Sequence, residues 1–168
     1  KPGFADVGLR VKNEALAAST LIFNELNLAD RSVYFFRGCD DAIQRRGLET
    51  MAAMYLERGK FQSAIELNEN LIKSDPMHPK NPSYEIKVVE ALVLINVLEG
   101  AVSRMIRRTP LYLDDSSWHK KNSSNALTLQ TGEGALEAMV LKNALRFHDP
   151  PQNTNIPPYF GFARTRLY

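Results

Sequence analysis

Apolar positions recur at three- and four-residue spacings along most of the chain, a pattern that predicts helices. In residues 11–28, VKNEALAASTLIFNELNL, the side chains of Leu16, Ser19, Thr20, Phe23, Leu26 and Asn27 fall near one another, and Leu21, Ile22 and Leu28 widen the apolar surface. The stretch DRSVYFF at 30–36 has β-branched and aromatic residues that suit a strand, yet it is short and lies between helical segments, so a short helix is expected. Asp40 and Asp41 offer an N-terminal cap and a favourable charge for a helix beginning near Ala42. Residues 83–108 predict a first helix through Leu98, a turn at Gly100 and a second helix with Ala101, Met105 and Ile106. From 109 to 134 the chain is rich in Ser, Asn, Asp and Gly and reads as a long connection pinned by Trp118 and Leu111. A last helix is expected at 134–148, where Leu136, Met139, Val140, Ala144 and Leu145 form a stripe. The closing DPPQNTNIPPYFGFARTRLY has four prolines in its first ten residues, so an extended tail is expected.

The stretch GLETMAAMYLERGKFQSAIELNENLIKSDP, residues 47–76, fits the 34-residue tetratricopeptide pattern, W-x2-L-G-x2-Y in the first helix and A-x3-F with a closing proline in the second. Leu48 stands at the Trp position, Met51 at the Leu, Ala52 at the small residue and Tyr55 at the Tyr. Gly59 falls at the turn, Phe61 begins the second helix, Ala64 takes its small position, Leu71 packs behind it and Pro76 stops the unit. Asn68 departs, occupying a position where an aromatic is usual. Small residues let two antiparallel helices approach at their crossing, aromatics fill the wedge beside them, and glycine permits the tight turn. Any helical hairpin can carry Gly at its turn and Ala at its crossing. One pair cannot bury its own apolar face, so the flanking segments are expected to form two or three irregular pairs with it. The expected fold is all-α: a single domain over 1–148, an irregular stack of antiparallel helical hairpins, followed by the tail at 149–168.

Composition sets the outer limits. A chain of 168 residues with 44% hydrophobic content can bury one sizeable core. Its 21 Lys and Arg against 19 Asp and Glu, net +2, give no global signature of a nucleic-acid binder. The single cysteine, Cys39, excludes an internal disulfide and a cysteine-based zinc site. The most apolar run, VVEALVLINVL at 88–98, is short and carries Glu90, so no membrane insertion is expected. The chain opens on Lys1, and KPGFADVG has neither the apolar core of a signal peptide nor the Arg and Ser richness of a transit peptide, so upstream processing or trimming is expected. The NSS triplet at 122–124 would matter only in a secreted protein.

Catalytic chemistry is not expected. His78, His119 and His148 have no metal-ligand spacing with one another or with Cys39, so no metal is anticipated. GEGAL at 132–136 lacks the Lys-Ser/Thr of a phosphate-binding loop, and a helix cap is the expected role; no cofactor site is foreseen. Asp114 and Asp115 read as turn or capping residues. In the tail, Tyr159, Phe160, Phe162 and Tyr168 alternate with Arg164 and Arg166, aromatic and Arg types enriched at interface hot spots, and are the candidate partner-binding residues. Against that stands the reading that these aromatics fold back and complete the core.

The same 47–76 stretch resembles a pentatricopeptide unit, a class that reads single-stranded RNA one base per repeat. Thr50 would hold the base-reading position, while its partner would be Lys80 where that family uses Asn or Asp. Taken whole, an 18.9 kDa, nearly all-helical chain with one degenerate pair and a Pro- and aromatic-rich tail resembles the eighteen-kilodalton extra subunit of the mitochondrial F-type ATP synthase of kinetoplastids and other euglenozoans. That resemblance implies a noncatalytic structural subunit in the mitochondrial matrix, one copy on the outside of each α subunit of the catalytic head. Two other readings stay open. One is a tetratricopeptide-type adaptor, although Ala53, Leu56 and Glu57 on the first-helix face make no carboxylate clamp. The other is an RNA binder using RMIRR at 104–108 and HKK at 119–121 as phosphate contacts.

Overall fold

A computed structural model describes residues 4–148, with side chains over 11–146, and all regular structure among them is helical. The tail expected over 149–168, and with it Tyr159, Phe160, Phe162, Arg164, Arg166 and Tyr168, lies outside the described residues. The chain divides between Leu71 and Ile72 into two compact units.

The first unit holds α1 (Phe4–Glu25), α2 (Ala29–Phe36), α3 (Asp41–Glu57) and most of α4 (Phe61–Ser74), with α3 packed on both α1 and α2. The apolar run at 30–36 is helical, as its setting predicts. Asp40 caps α3, its carboxylate accepting from the Ile43 amide at 2.9 Å. Helix α1 stops because Asn27 turns left-handed (φ 55°) and the Leu28 amide donates back to Phe23 O at 2.9 Å. Gly59 (φ 71°) ends α3 in the same way, with the Lys60 amide on Tyr55 O at 2.8 Å. Leu48, Met51, Ala52 and Tyr55 of α3 and Ala64 and Leu71 of α4 are all buried, Phe61 is half-buried, and Pro76 is exposed just past the end of α4. Asn68, the departure from the repeat pattern, is also buried and turns its amide back to donate to Ala64 O at 2.8 Å.

The second unit holds α5 (Asn81–Leu94), α6 (Leu98–Arg108), a 3-10 turn (Thr109–Leu111), α7 (Ser117–Asn122) and α8 (Ala126–His148). The expected turn at Gly100 is corrected here: α5 ends at Leu94, Asn96 takes the left-handed conformation (φ 59°), and Gly100 lies inside α6. Asn tolerates that region because its short polar side chain bonds locally, so the chain had a second residue able to make the turn. The 109–134 connection is likewise mostly helical, since Ser116 caps α7 and the Asn125 side chain accepts from the Thr128 amide at the start of α8. Trp118 pins it as anticipated, but Leu111 is 47% exposed and does not. The core gathers Val89, Val93, Val102, Met105, Tyr112, Trp118, Leu136 and Met139. Beside it, Glu85 is buried and accepts from Arg104 Nε and Arg108 Nε, each at 2.7 Å, while Tyr112 OH donates to it at 3.3 Å.

Two expectations follow from this packing. A Cβ at Gly47 would stand 2.7 Å from the ring of Phe36, which is itself buried against Phe23 and Phe35, whereas a Cβ at Gly134 meets nothing within 4 Å. Alanine gains about 1 kcal/mol of helix propensity at either site, but overpacking costs about 1–3 kcal/mol. Urea denaturation should therefore show Gly47→Ala less stable by about 1 kcal/mol and Gly134→Ala more stable by up to about 1 kcal/mol. Second, burial and then the Glu85 charge hold the Tyr112 hydroxyl well above the ordinary tyrosine range. The folded chain thus keeps a proton that the unfolded chain releases near pH 10, and stability falls as pH rises beyond it. Tyr112→Phe should be less stable at neutral pH by about 1 kcal/mol, with a shallower loss between about pH 10 and 12 in thermal melts.

Candidate functional site: two exposed apolar helix faces

Helix α1 carries apolar residues on its outward side as well as its inward one. At spacings of three and four residues, Val11, Ala15, Ala18, Ile22 and Leu26 form one apolar stripe, and all five are exposed, Ile22 by 56% and Leu26 by 62%. The side turned inward carries Leu16 and Phe23, half-buried, together with Thr20 and Asn24, which are buried. Thr20 satisfies its hydroxyl on Ala17 O at 2.9 Å, while neither side-chain amide atom of Asn24 finds a hydrogen-bond partner among the described residues. The expected grouping of Leu26 and Asn27 with Thr20 and Phe23 is therefore corrected. Leu26 faces out, and Asn27 is spent on the helix-ending turn. Helix α2 extends the outer surface, with Tyr34 81% exposed and Phe35 half-exposed against Phe23, ring centroids 5.2 Å apart.

In the second unit α8 is likewise apolar on both sides. Leu127, Gly134, Ala138, Leu141 and Leu145 lie along one exposed side, while Leu136, Met139 and the amide of Asn143 point inward. Asn143 donates to Met139 O at 2.8 Å. Single exposed apolar side chains are ordinary, but a continuous stripe over several helical turns marks a surface that gains by being covered. Each such Leu or Ile stands to contribute roughly 1–2 kcal/mol on burial.

The remaining candidates fall elsewhere. GEGAL lies within α8, not at a cap, because the helix already starts at Ala126. Gly132 is there for close approach, since a Cβ would stand 3.1 Å from Pro82 and 3.2 Å from Trp118. Two of the RMIRR arginines, Arg104 and Arg108, are held by Glu85. Thr50 donates its hydroxyl to Arg46 O, His78 stacks on Tyr84, and Cys39 is half-buried. Asp115 makes a left-handed turn (φ 64°). One constellation has no trace in local spacing: Asp114, His119 and Glu133 bring their polar atoms within 4.8 Å of one another. Among the described residues no helix is long and apolar enough to cross a membrane. Comparison with family models, with curated proteins and with solved structures gives no match.

Ile22 and Leu26 are more than half exposed, so Ile22→Lys with Leu26→Gln should leave the free energy of unfolding within about 1 kcal/mol of the parent in urea denaturation. The same pair should raise solubility and reduce binding of an apolar fluorescent dye. Loss of the helical circular dichroism instead would show the stripe to be core.

Proposed function

We propose that this chain is a noncatalytic structural subunit of a mitochondrial F-type ATP synthase, docking on the outside of the α subunits of the catalytic head in the matrix. The observation that carries the docking role is the outward apolar stripe of α1, with Val11, Ile22 and Leu26 exposed on a helix that buries the polar Thr20 and Asn24. Such an arrangement is favourable only when a second surface covers the stripe. The resemblance of residues 47–76 and of the chain as a whole to the euglenozoan extra subunit supplies the partner. On this reading 47–76 is a degenerate pentatricopeptide-like pair used as scaffold, and Leu48, Met51, Ala52, Tyr55, Gly59, Phe61, Ala64, Leu71 and Pro76 serve its packing. The tail residues Tyr159, Phe160, Phe162, Arg164, Arg166 and Tyr168 are a second anchor. Arg104 and Arg108, engaged by buried Glu85, are poorly placed to serve as phosphate contacts.

Native purification of the endogenous protein from a mitochondrial fraction, followed by mass spectrometry, tests this. Recovery at fixed ratio with ATP synthase α and β subunits is expected. Ile22→Asp with Leu26→Asp should abolish that recovery, and deletion of 157–168 should weaken it, with the helical fold kept in both. Recovery with RNA, or with a changing set of polypeptides, would overturn the proposal in favour of an RNA binder or an adaptor.

A further inference from the structure

We propose that Asp114, His119 and Glu133 form a binding site for one divalent transition-metal ion, with Zn2+ as its occupant. The three residues come from the turn before α7, from α7 and from α8. His119 Nδ1 stands 2.7 Å from Glu133 Oε1 and 3.6 Å from Asp114 Oδ1. A neutral imidazole has one N–H, and it can serve only one of the two carboxylates that face this nitrogen. A divalent cation joins all three, neutralising both anions and using the imidazole lone pair.

The three donor atoms lie within 4.8 Å of one another, near enough for side-chain rotation to bring them to zinc spacing. Zinc bonds to nitrogen and oxygen of about 2.0–2.2 Å place tetrahedral donors about 3.4 Å apart. The His119 to Asp114 separation of 3.6 Å already matches. The His119 to Glu133 pair must open from 2.7 Å, by about 0.7 Å to reach that spacing, which side-chain rotation of Glu133 supplies. Asp114, 90% exposed at its side chain, is free to swing in. Water takes the fourth position, as in zinc sites with three protein ligands. Imidazole together with carboxylates favours Zn2+ over Mg2+ or Ca2+, which prefer six or more oxygen donors.

Two of the ligands are held by packing that serves the core. His119 follows Trp118, whose indole N–H donates to His78 O at 2.8 Å, and its own amide donates to the Ser116 hydroxyl at 3.0 Å. Glu133 follows Gly132, whose lack of a side chain lets α8 close on the Trp118 ring. The contact between residues 118 and 132 therefore sets the distance between residues 119 and 133. The proposal does not rest on the docking role.

Isothermal titration of the full chain, stripped with chelator and dialysed, with ZnCl2 and separately with MgCl2, tests the assignment. One zinc per chain is expected, together with a rise in melting temperature on zinc addition and no comparable response to magnesium. His119→Ala should weaken zinc by at least about 100-fold, and Asp114→Asn by about tenfold or more. Asp114 is exposed, so its variant keeps the fold and keeps the test sound if His119→Ala does not. Cys39→Ser should bind zinc as the parent does. Absence of zinc binding, unchanged affinity in Asp114→Asn and His119→Ala, or equal response to magnesium would each overturn the site.

Discussion

Trp118 is the contact on which the second unit depends. Its indole N–H reaches back forty residues in the chain to His78 O, its ring meets Tyr112 edge-on with centroids 5.5 Å apart, and its far edge accepts α8 at Gly132. Asn122, one turn along α7, adds a second tie through its amide to Met77 O at 3.1 Å. A six-residue helix has too few internal hydrogen bonds to persist alone. Helix α7 is held by these side chains, and it in turn converts a polar stretch into a wall against which α8 packs. The same contact positions His119 beside Glu133, so core packing and the proposed zinc site share one cause.

Buried polar groups shape both units more than an apolar-core picture suggests. Glu85 is tied to two arginines on α6 and to Tyr112, fixing the register of α5 against α6. A buried carboxylate requires that satisfaction, since leaving it unpaired costs several kcal/mol, about 3–5 for a broken buried pair. Asn68, Asn122 and Asn143 each turn a side-chain amide onto the carbonyl four residues earlier, which satisfies their donors without help from another helix. Asn24 has no such arrangement among the described residues, and it lies on the inward side of the helix whose apolar stripe faces out.

An isolated chain would gain by rotating α1 to bury Ile22 and Leu26, yet Phe23 is committed to the aromatic cluster with Phe35 and Phe36, and its carbonyl accepts from Tyr55 OH. Gly47 admits Phe36 by giving up a side chain at a helix-interior position. The orientation of α1 thus follows from aromatic packing, and Ile22 and Leu26 are left exposed.

The linear pattern determined the helical class, the cap at Asp40, the glycine turn at Gly59 and the inward residues of α3 and α4, because each depends on neighbours within a few positions. It also identified Trp118 as a pin from its chemistry alone. Tertiary structure decided the rest. Helix α1 has apolar residues on more than one side, so periodicity names a helix but not its inner face, and the aromatic packing of Phe23 made the choice. Gly100 and Asn96 could each end a helix, and the Val93 and Val102 contacts across the core settled which one did. The helices within 109–134 carry too little local apolar signal and form because Trp118 is buried. Asp114, His119 and Glu133 meet only because α7 and α8 are packed together, and no spacing along a chain encodes a meeting that packing alone creates.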